Sequence, residues 1–352
     1  MSVRVDNPLV GKVIMTCLAG SKAYGTSLPT SDTDIRGIFV APPKSIRTPW
    51  HTITEYSLPD EEDGKIYELS NFMKLFLDMN PNILELMFVR EEEILSSTPE
   101  YWVLRGAAKS LLNSNVAFRF SGYAMSQLNR IKGHNKWINN PQPKEVPVQR
   151  DFMKEVQNFG TADSDLLGTL DKKALFVPYG NNMYGVVLSD SKCGLFNKDG
   201  SIRLLDYSDL SDEVKNKHPE VIVRYLDNEH KTAKERHRNY WEWVKNRNAT
   251  RHELEEKFGY DTKHAMHLVR LMRMAEEILR GEGVNVFRED ADELLDIRAG
   301  KWTLDEVLSW AEDQDHLVRD VLYKTTSLPK RSDLNKATEL LMQVQDMAWG
   351  GK

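Results

Sequence analysis

Cysteine is scarce in this chain: Cys17 and Cys193 are the only two among 352 residues. Two thiols make no disulfide framework, and neither stands in a Cys-x-x-Cys spacing suited to zinc or redox work. A reducing, cytoplasmic setting is therefore expected. Long hydrophobic runs are missing as well. The apolar stretch from Val13 to Ala19 stops at Gly20-Ser21, far short of the roughly 18 apolar residues of a membrane span and without a secretory cleavage site. Neither membrane insertion nor secretion is expected. Nor is there a surplus of positive charge, since 47 Lys+Arg against 53 Asp+Glu leaves −6. Non-specific nucleic-acid binding depends on phosphate neutralisation by Lys and Arg, so a general coating role is excluded and any such binding needs a local patch. What is present, 40% hydrophobic and 28% charged residues, describes a folded globular chain, and its length exceeds what one core usually serves. Two domains are expected.

Residues 11–19 (GKVIMTCLA) are apolar and rich in β-branched side chains, which predicts a buried strand entering a turn at Gly20-Ser21. A short helix over Lys22–Leu28 should follow. After Pro29-Thr30-Ser31, the segment DTDIRGIFVAP reads as a second strand, with Asp32, Asp34, Arg36 and Ile38 on one face by the two-residue period. The acidic loop PDEEDG (59–64) leads to a short strand at about Lys65–Leu69 that runs into a helix, and Asn80-Pro81 separates this helix from the next. From Tyr101 onward the pattern is helical. KALFVPYG, NMYGVVL and SIRLLDYS, between 173 and 206 or just beyond, read as two or three short strands inserted in that helical part. The clearest helix is Thr262–Arg280, capped by Asp261 and stopped by Gly281, with an apolar stripe of Ala265, Leu268, Val269, Met272, Ala275 and Leu279.

The segment GSKAYGTSLPTSDTDIRG (20–37) carries the chemistry. A Gly-Ser pair between a strand and a helix offers backbone N–H groups, a hydroxyl and a helix N-terminus to a phosphate. Asp32 and Asp34 on one strand face repel each other and call for cations, and Mg²⁺ takes one or two carboxylates together with substrate phosphates. Each feature alone is common loop chemistry. In the order strand, Gly-Ser, helix, Asp-x-Asp, they point to metal-dependent phosphoryl chemistry.

With these residues in place, the segment resembles the nucleotidyltransferase superfamily of DNA polymerase β, and is most similar to its RNA-repair-associated group. Tyr24-Gly25, Arg36-Gly37, YELSNFMKLFLDMNPNILELMF (67–88), GYAMSQLNRI (122–131) and KHAMHLVRLM (263–272) also look like stretches of those proteins. The resemblance implies an α+β fold: a polymerase-β-type core of a short mixed sheet with flanking helices, then a mainly helical region with a small β insertion. The core would span 1–98 and the acceptor- and nucleotide-binding region 99–352, with the insertion at about 173–206. It implies that Gly20 and Ser21 hold the β and γ phosphates of an NTP, ATP among the possibilities, with Lys22, Tyr24 and Ser31 around the nucleotide. Asp32 and Asp34 would ligate two Mg²⁺ ions, or Mn²⁺, that stabilise the attacking and leaving oxygens of an in-line displacement. A third carboxylate from a neighbouring strand completes such a triad; Glu68 is the first choice and Asp63 the alternative.

Lys263, His267 and Arg270 fall on one helix line opposite the apolar stripe. That line either contacts triphosphate or RNA backbone, or is a solvated face. The stretch from Lys231 to Arg251 interleaves Lys231, Lys234, Arg236, Arg238, Lys245, Arg247 and Arg251 with Tyr240, Trp241 and Trp243. Such a mixture grips single-stranded RNA, or else forms an amphipathic helix with its aromatics inside, the reading we favour. A second group, Arg119, Arg130, Lys132, His134 and Lys136 with Tyr123 and Trp137, is open in the same way. The expected activity is template-independent transfer of NMP from an NTP to a hydroxyl; the resemblance implies an RNA or tRNA-like end as acceptor and an RNA ligase or other repair protein as partner. The alternatives are a protein acceptor, as in antitoxin-type enzymes, and a non-catalytic nucleotide- or RNA-binding module of the same fold.

Overall fold

The computed structural model describes residues 7–50, 52–59, 63–159, 166–170, 172–189, 194–245, 255 and 257–350, without the side chains at 63, 134–136, 138, 139, 166, 169 and 207. Cys193, Arg247, Arg251 and residues 60–62 of the 59–64 loop lie outside the described residues, as do the side chains of His134 and Lys136.

The expected first strand forms as β1 (Lys12–Ala19), and α1 (Gly20–Tyr24) follows without an intervening loop. The chain then makes β2 (Asp34–Val40), α2 (Pro43–Arg47), β3 (Glu55–Ser57) and β4 (Asp63–Glu68), the last running directly into α3 (Leu69–Leu77). Pro81 starts α4 (Pro81–Leu84), with Asn80 as its cap. β5 (Ile94–Ser97), α5 (Pro99–Ala108) and α6 (Val116–Asn139) come next. The five strands form one mixed sheet in the order β3-β4-β2-β1-β5, with β2 and β4 parallel and the other pairs antiparallel. Alternation along β2 divides its side chains between two apolar layers. Ile38 and Val40 join a large cluster with Phe72, Phe76, Leu104 and Phe120, whereas Ile35 and Phe39 join a smaller one with Ile66 and Leu58. The fold is thus α+β, as expected: a mixed sheet with helices against it and a mainly helical continuation.

The compact units divide the chain differently from the boundary expected at residue 98. One unit comprises 1–138 and 249–352, the other 139–248. The reason is burial. Leu268, Val269, Met272, Leu294, Val307 and Val344, all from 249–352, belong to the same cluster as Ile14 of β1 and Phe72 of α3. Helices that read as a separate region are therefore half of the first unit's core.

The second unit exceeds the insertion expected at about 173–206. β7 (Ala174–Gly180) and β8 (Met183–Leu188) are the first two anticipated strands, but the third is reduced to one bridge, Phe196 with Ile202. Two unanticipated strands, β6 (Met153–Asn158) and β9 (Val221–Tyr225), complete an antiparallel sheet in the order β6-β9-β8-β7. β6 sits at an edge with most of its side chains in solvent, so it lacks the apolar alternation that marks a half-buried strand. A helix, α7 (Asp227–Lys245), follows β9. In the first unit the chain continues as α8 (Thr262–Arg280), α9 (Ala291–Arg298), α10 (Leu304–His316, prolonged by a π-helical Leu317–Leu322) and α11 (Leu334–Ala348). Asp261 caps α8 through His264 N, and Gly281 ends it in the left-handed conformation, as anticipated.

Candidate active site

Ala19 at the end of β1 is the ladder partner of Asp34 at the start of β2. The Gly-Ser turn therefore begins beside the second aspartate. Gly20 has φ +61°, and a Cβ there would lie 2.1 Å from Asp34 Oδ2. Both the backbone conformation and the space demand glycine. Ala19 supplies no side-chain cap to α1. Ser21 is partly buried, and its carbonyl accepts the N–H of Thr26 at 2.9 Å. Lys22 Nζ donates to Thr33 Oγ1 at 2.5 Å, which ties α1 to the residue between the two aspartates.

Asp34 and Arg36 lie on one face of β2, and Arg36 Nη2 is 3.8 Å from Asp34 Oδ1. Asp32 differs from the sequence reading. It is exposed and precedes the strand, so ladder alternation does not set its face. Ser31 explains the offset: its Oγ accepts from Leu28 N at 2.8 Å and its own N–H donates to Leu28 O at 2.9 Å, a closed turn that delays β2.

The two candidates for the third carboxylate stand at opposite ends of β4. Asp63 is the register partner of Asp34, and Glu68 is the partner of Phe39. Five residue steps of a parallel strand put Glu68 about 16 Å farther along. There it is buried and caps α3, accepting from Ser70 N at 2.6 Å and Asn71 N at 3.2 Å. Burial pushes its carboxyl upward against the pull of these donors. The structure thus does not bring Glu68 to Asp32 and Asp34. The strand position beside Asp34 belongs to Asp63.

Tyr24 and Arg270 do come together, although not at the surface. Tyr24 is buried and its hydroxyl donates to Glu85 Oε2 at 2.6 Å; Arg270 is buried, pairs with Glu85 Oε1, and lies 3.7 Å from the Tyr24 ring centroid. Burial opposes the Arg270 cation, but Glu85 holds it charged beyond the ordinary arginine range. The line Lys263, His267, Arg270 is accordingly no open face: Arg270 is interior and the other two are partly buried. Low-polarity surroundings, with the cations of Arg270 and Lys263, hold His267 well below its ordinary range. Glu85 was missed as a functional candidate. A lone acid among buried Ile83, Leu84, Leu86 and Met87 was its signal, because a carboxylate in an apolar run needs a partner.

In the second unit, α7 carries most of one basic stretch. His237 and Tyr240 are buried and Trp241 Nε1 donates to the Pro143 carbonyl at 3.0 Å, while Lys231, Lys234, Arg236 and Arg238 are exposed. The aromatics are the inner side of an amphipathic helix. In the first unit, Arg119 pairs with Asp78 at 2.5 Å, and Arg130 and Lys132 are exposed along α6. A cavity of about 680 Å³ along α3 and α11, lined by Met73, Leu77, Arg119 and Leu334, includes none of the residues predicted for the site.

Residues 3–144 match the RNA repair pathway DNA polymerase beta family. The likeness read from the motifs is thus found independently over the segment that holds the Gly-Ser turn, both aspartates and β4. A second similarity is to an uncharacterized 38.9 kDa protein in the nrdC-mobD intergenic region of Enterobacteria phage T4, 27% identical over 134 residues. That alignment takes in 35% of this chain and spans about 40% of the phage protein's length. No solved structure matches the chain.

For a family of this description a divalent metal is implied, and the donor set can be tested against it. Among the described residues no three His, Cys, Asp or Glu side chains are gathered around a common point. Asp32 and Asp34 nevertheless offer hard carboxylate oxygens, which suit Mg²⁺ or Mn²⁺. The residues fit the group. Among the described residues no helix is long and apolar enough to cross a membrane.

Proposed function

We propose that the chain is a template-independent nucleotidyltransferase that moves a nucleoside monophosphate from an NTP to the hydroxyl of an RNA end and releases pyrophosphate. The observation that carries the reading is the fit of Gly20 against the Asp34 carboxylate, which makes the phosphate-holding turn and the acidic strand one unit. The match of residues 3–144 to an RNA repair family supports RNA as the acceptor class.

In this reading Gly20 and Ser21 receive the β and γ phosphates through their backbone N–H groups and the Ser21 hydroxyl. Lys22, held near the aspartates by Thr33, adds positive charge beside the triphosphate. Asp32, Asp34 and Asp63 would hold two Mg²⁺ ions, with Asp63 as the third carboxylate on the strength of its register with Asp34. When bound, the ions offset phosphate charge in an in-line displacement. In this reading one of these carboxylates would also accept the proton of the attacking hydroxyl. Arg36, with Nη2 3.8 Å from Asp34 Oδ1, adds a second positive charge beside the aspartates. The chain acts in the cytoplasm, alongside an RNA ligase or another repair protein.

The test is incubation of the purified chain with each α-labelled NTP, Mg²⁺, and either mixed RNA or cell extract. Label in RNA that disappears with the double change Asp32→Ala, Asp34→Ala supports the reading. Label in polypeptide alone moves the acceptor to protein, and label unaffected by the double change removes the two-aspartate site.

A further inference from the structure

We infer that Tyr24, Glu85 and Arg270 form a buried positioning network that sets α1 for transfer, so that the phosphate-holding turn is completed from α8, outside the 3–144 segment. This rests on the transferase reading above. Burying a carboxylate is costly unless its oxygens are matched, and both oxygens of Glu85 are matched: Oε1 by Arg270 and Oε2 by the Tyr24 hydroxyl. Arg270 reaches Tyr24 twice, through that shared carboxylate and through the ring face at 3.7 Å.

Tyr24 is the last residue of α1, and Gly20, which abuts Asp34, is the first. A helix of 5 residues moves as one piece, so what fixes Tyr24 fixes Gly20 and Ser21. The same end is held a second time. The Arg288 N–H donates to the Tyr24 carbonyl at 3.0 Å, and the Arg288 side chain is anchored by Glu277 of α8 at 2.6 Å and by Asp290 at 2.8 Å. Phe287 stands against Gly25, where a Cβ would come within 2.7 Å of its ring, and Arg90 lies 3.5 Å from the centroid of that ring. An ion pair that merely filled the core would not need to end on the helix that carries the turn.

Two variants test the network without leaving a buried charge alone. Tyr24→Phe keeps the ring under Arg270 and removes only the hydroxyl; Glu85→Gln with Arg270→Met removes both charges at similar volume. Each is compared with the wild type by thermal melting, by kcat and KM for the NTP in the labelled-transfer assay, and by hydrogen exchange at the amides of 20–25. The expected result is a fall in kcat of about tenfold or more in folded protein, since small displacements of a positioned group cost rate heavily, together with faster exchange in 20–25. Wild-type kcat in both folded variants overturns the inference and leaves the transferase reading standing. If the wild type transfers no label from any NTP, that reading fails by itself. The network is then judged by exchange alone, and unchanged protection at 20–25 in both variants overturns it.

Discussion

Gly20 and Asp34 touch so closely that the glycine has room for a hydrogen and nothing larger: a Cβ would stand 2.1 Å from Asp34 Oδ2, on a residue whose φ is +61°. Gly20→Ala must therefore displace the aspartate, the turn, or both. Strain of this kind costs about 1–3 kcal/mol, and a displaced reacting group costs about 100-fold in rate. The expected outcome is a modest fall in melting temperature with a disproportionate loss of labelled transfer, both measured on one preparation.

The register of β2 and β4 separates two acids that looked interchangeable. Glu68→Gln should cost about 0.5–2 kcal/mol of stability, the usual value of a helix cap, and leave most of the transfer activity. Asp63→Asn should do the reverse, with near-native melting and a loss of transfer comparable to that of Asp34→Asn. Denaturant titration and the labelled assay on the pair decide between them.

His267 should make the protein acid-sensitive. Its surroundings keep it neutral when folded, well below the ordinary histidine range, whereas in the unfolded chain it takes a proton near pH 6.5. The unfolded state thus binds the extra proton, so stability is full above about pH 6.5 and falls below it by about 1.4 kcal/mol per pH unit until the folded group also titrates. Denaturant melts at pH 7.5, 6.5 and 5.5, values chosen to bracket about pH 6.5, should show this slope in the wild type. His267→Gln should flatten it.

A fragment of residues 1–144, which contains the 3–144 match to the family, should not fold alone. Its core faces are shared with Leu268, Val269, Met272, Val307 and Val344, and without them a wide apolar surface is exposed. Expression of the fragment should give insoluble protein or a species without near-ultraviolet circular dichroism. A cooperative melt of the fragment would contradict the shared core.

Local signals in the sequence marked the elements around the candidate site. The two-residue period and the Gly-Ser punctuation gave β1 and the turn, and Asp261 and Gly281 marked the ends of α8, because strands, caps and turns are written in adjacent residues. What joins distant segments was not legible. Nothing in GKIYE announces that Asp63 pairs with Asp34, since parallel register is set by the connection between the strands. Arg270 read as a surface cation because its partner Glu85 lies 185 positions away. Asp32 was placed on the strand by a period that the Leu28–Ser31 turn interrupts.

The insertion of 139–248 between the two halves of the first unit orders events on the ribosome. At about 5–20 residues per second, the chain up to 138 waits roughly 10–40 s for the last residues of its own core to be made. During that interval the second unit, complete in itself, is free to fold, while the apolar faces of α3, α5 and α6 remain uncovered. A nascent chain arrested within the second unit should therefore be a strong client for a holding chaperone, and one released after α11 a weak one.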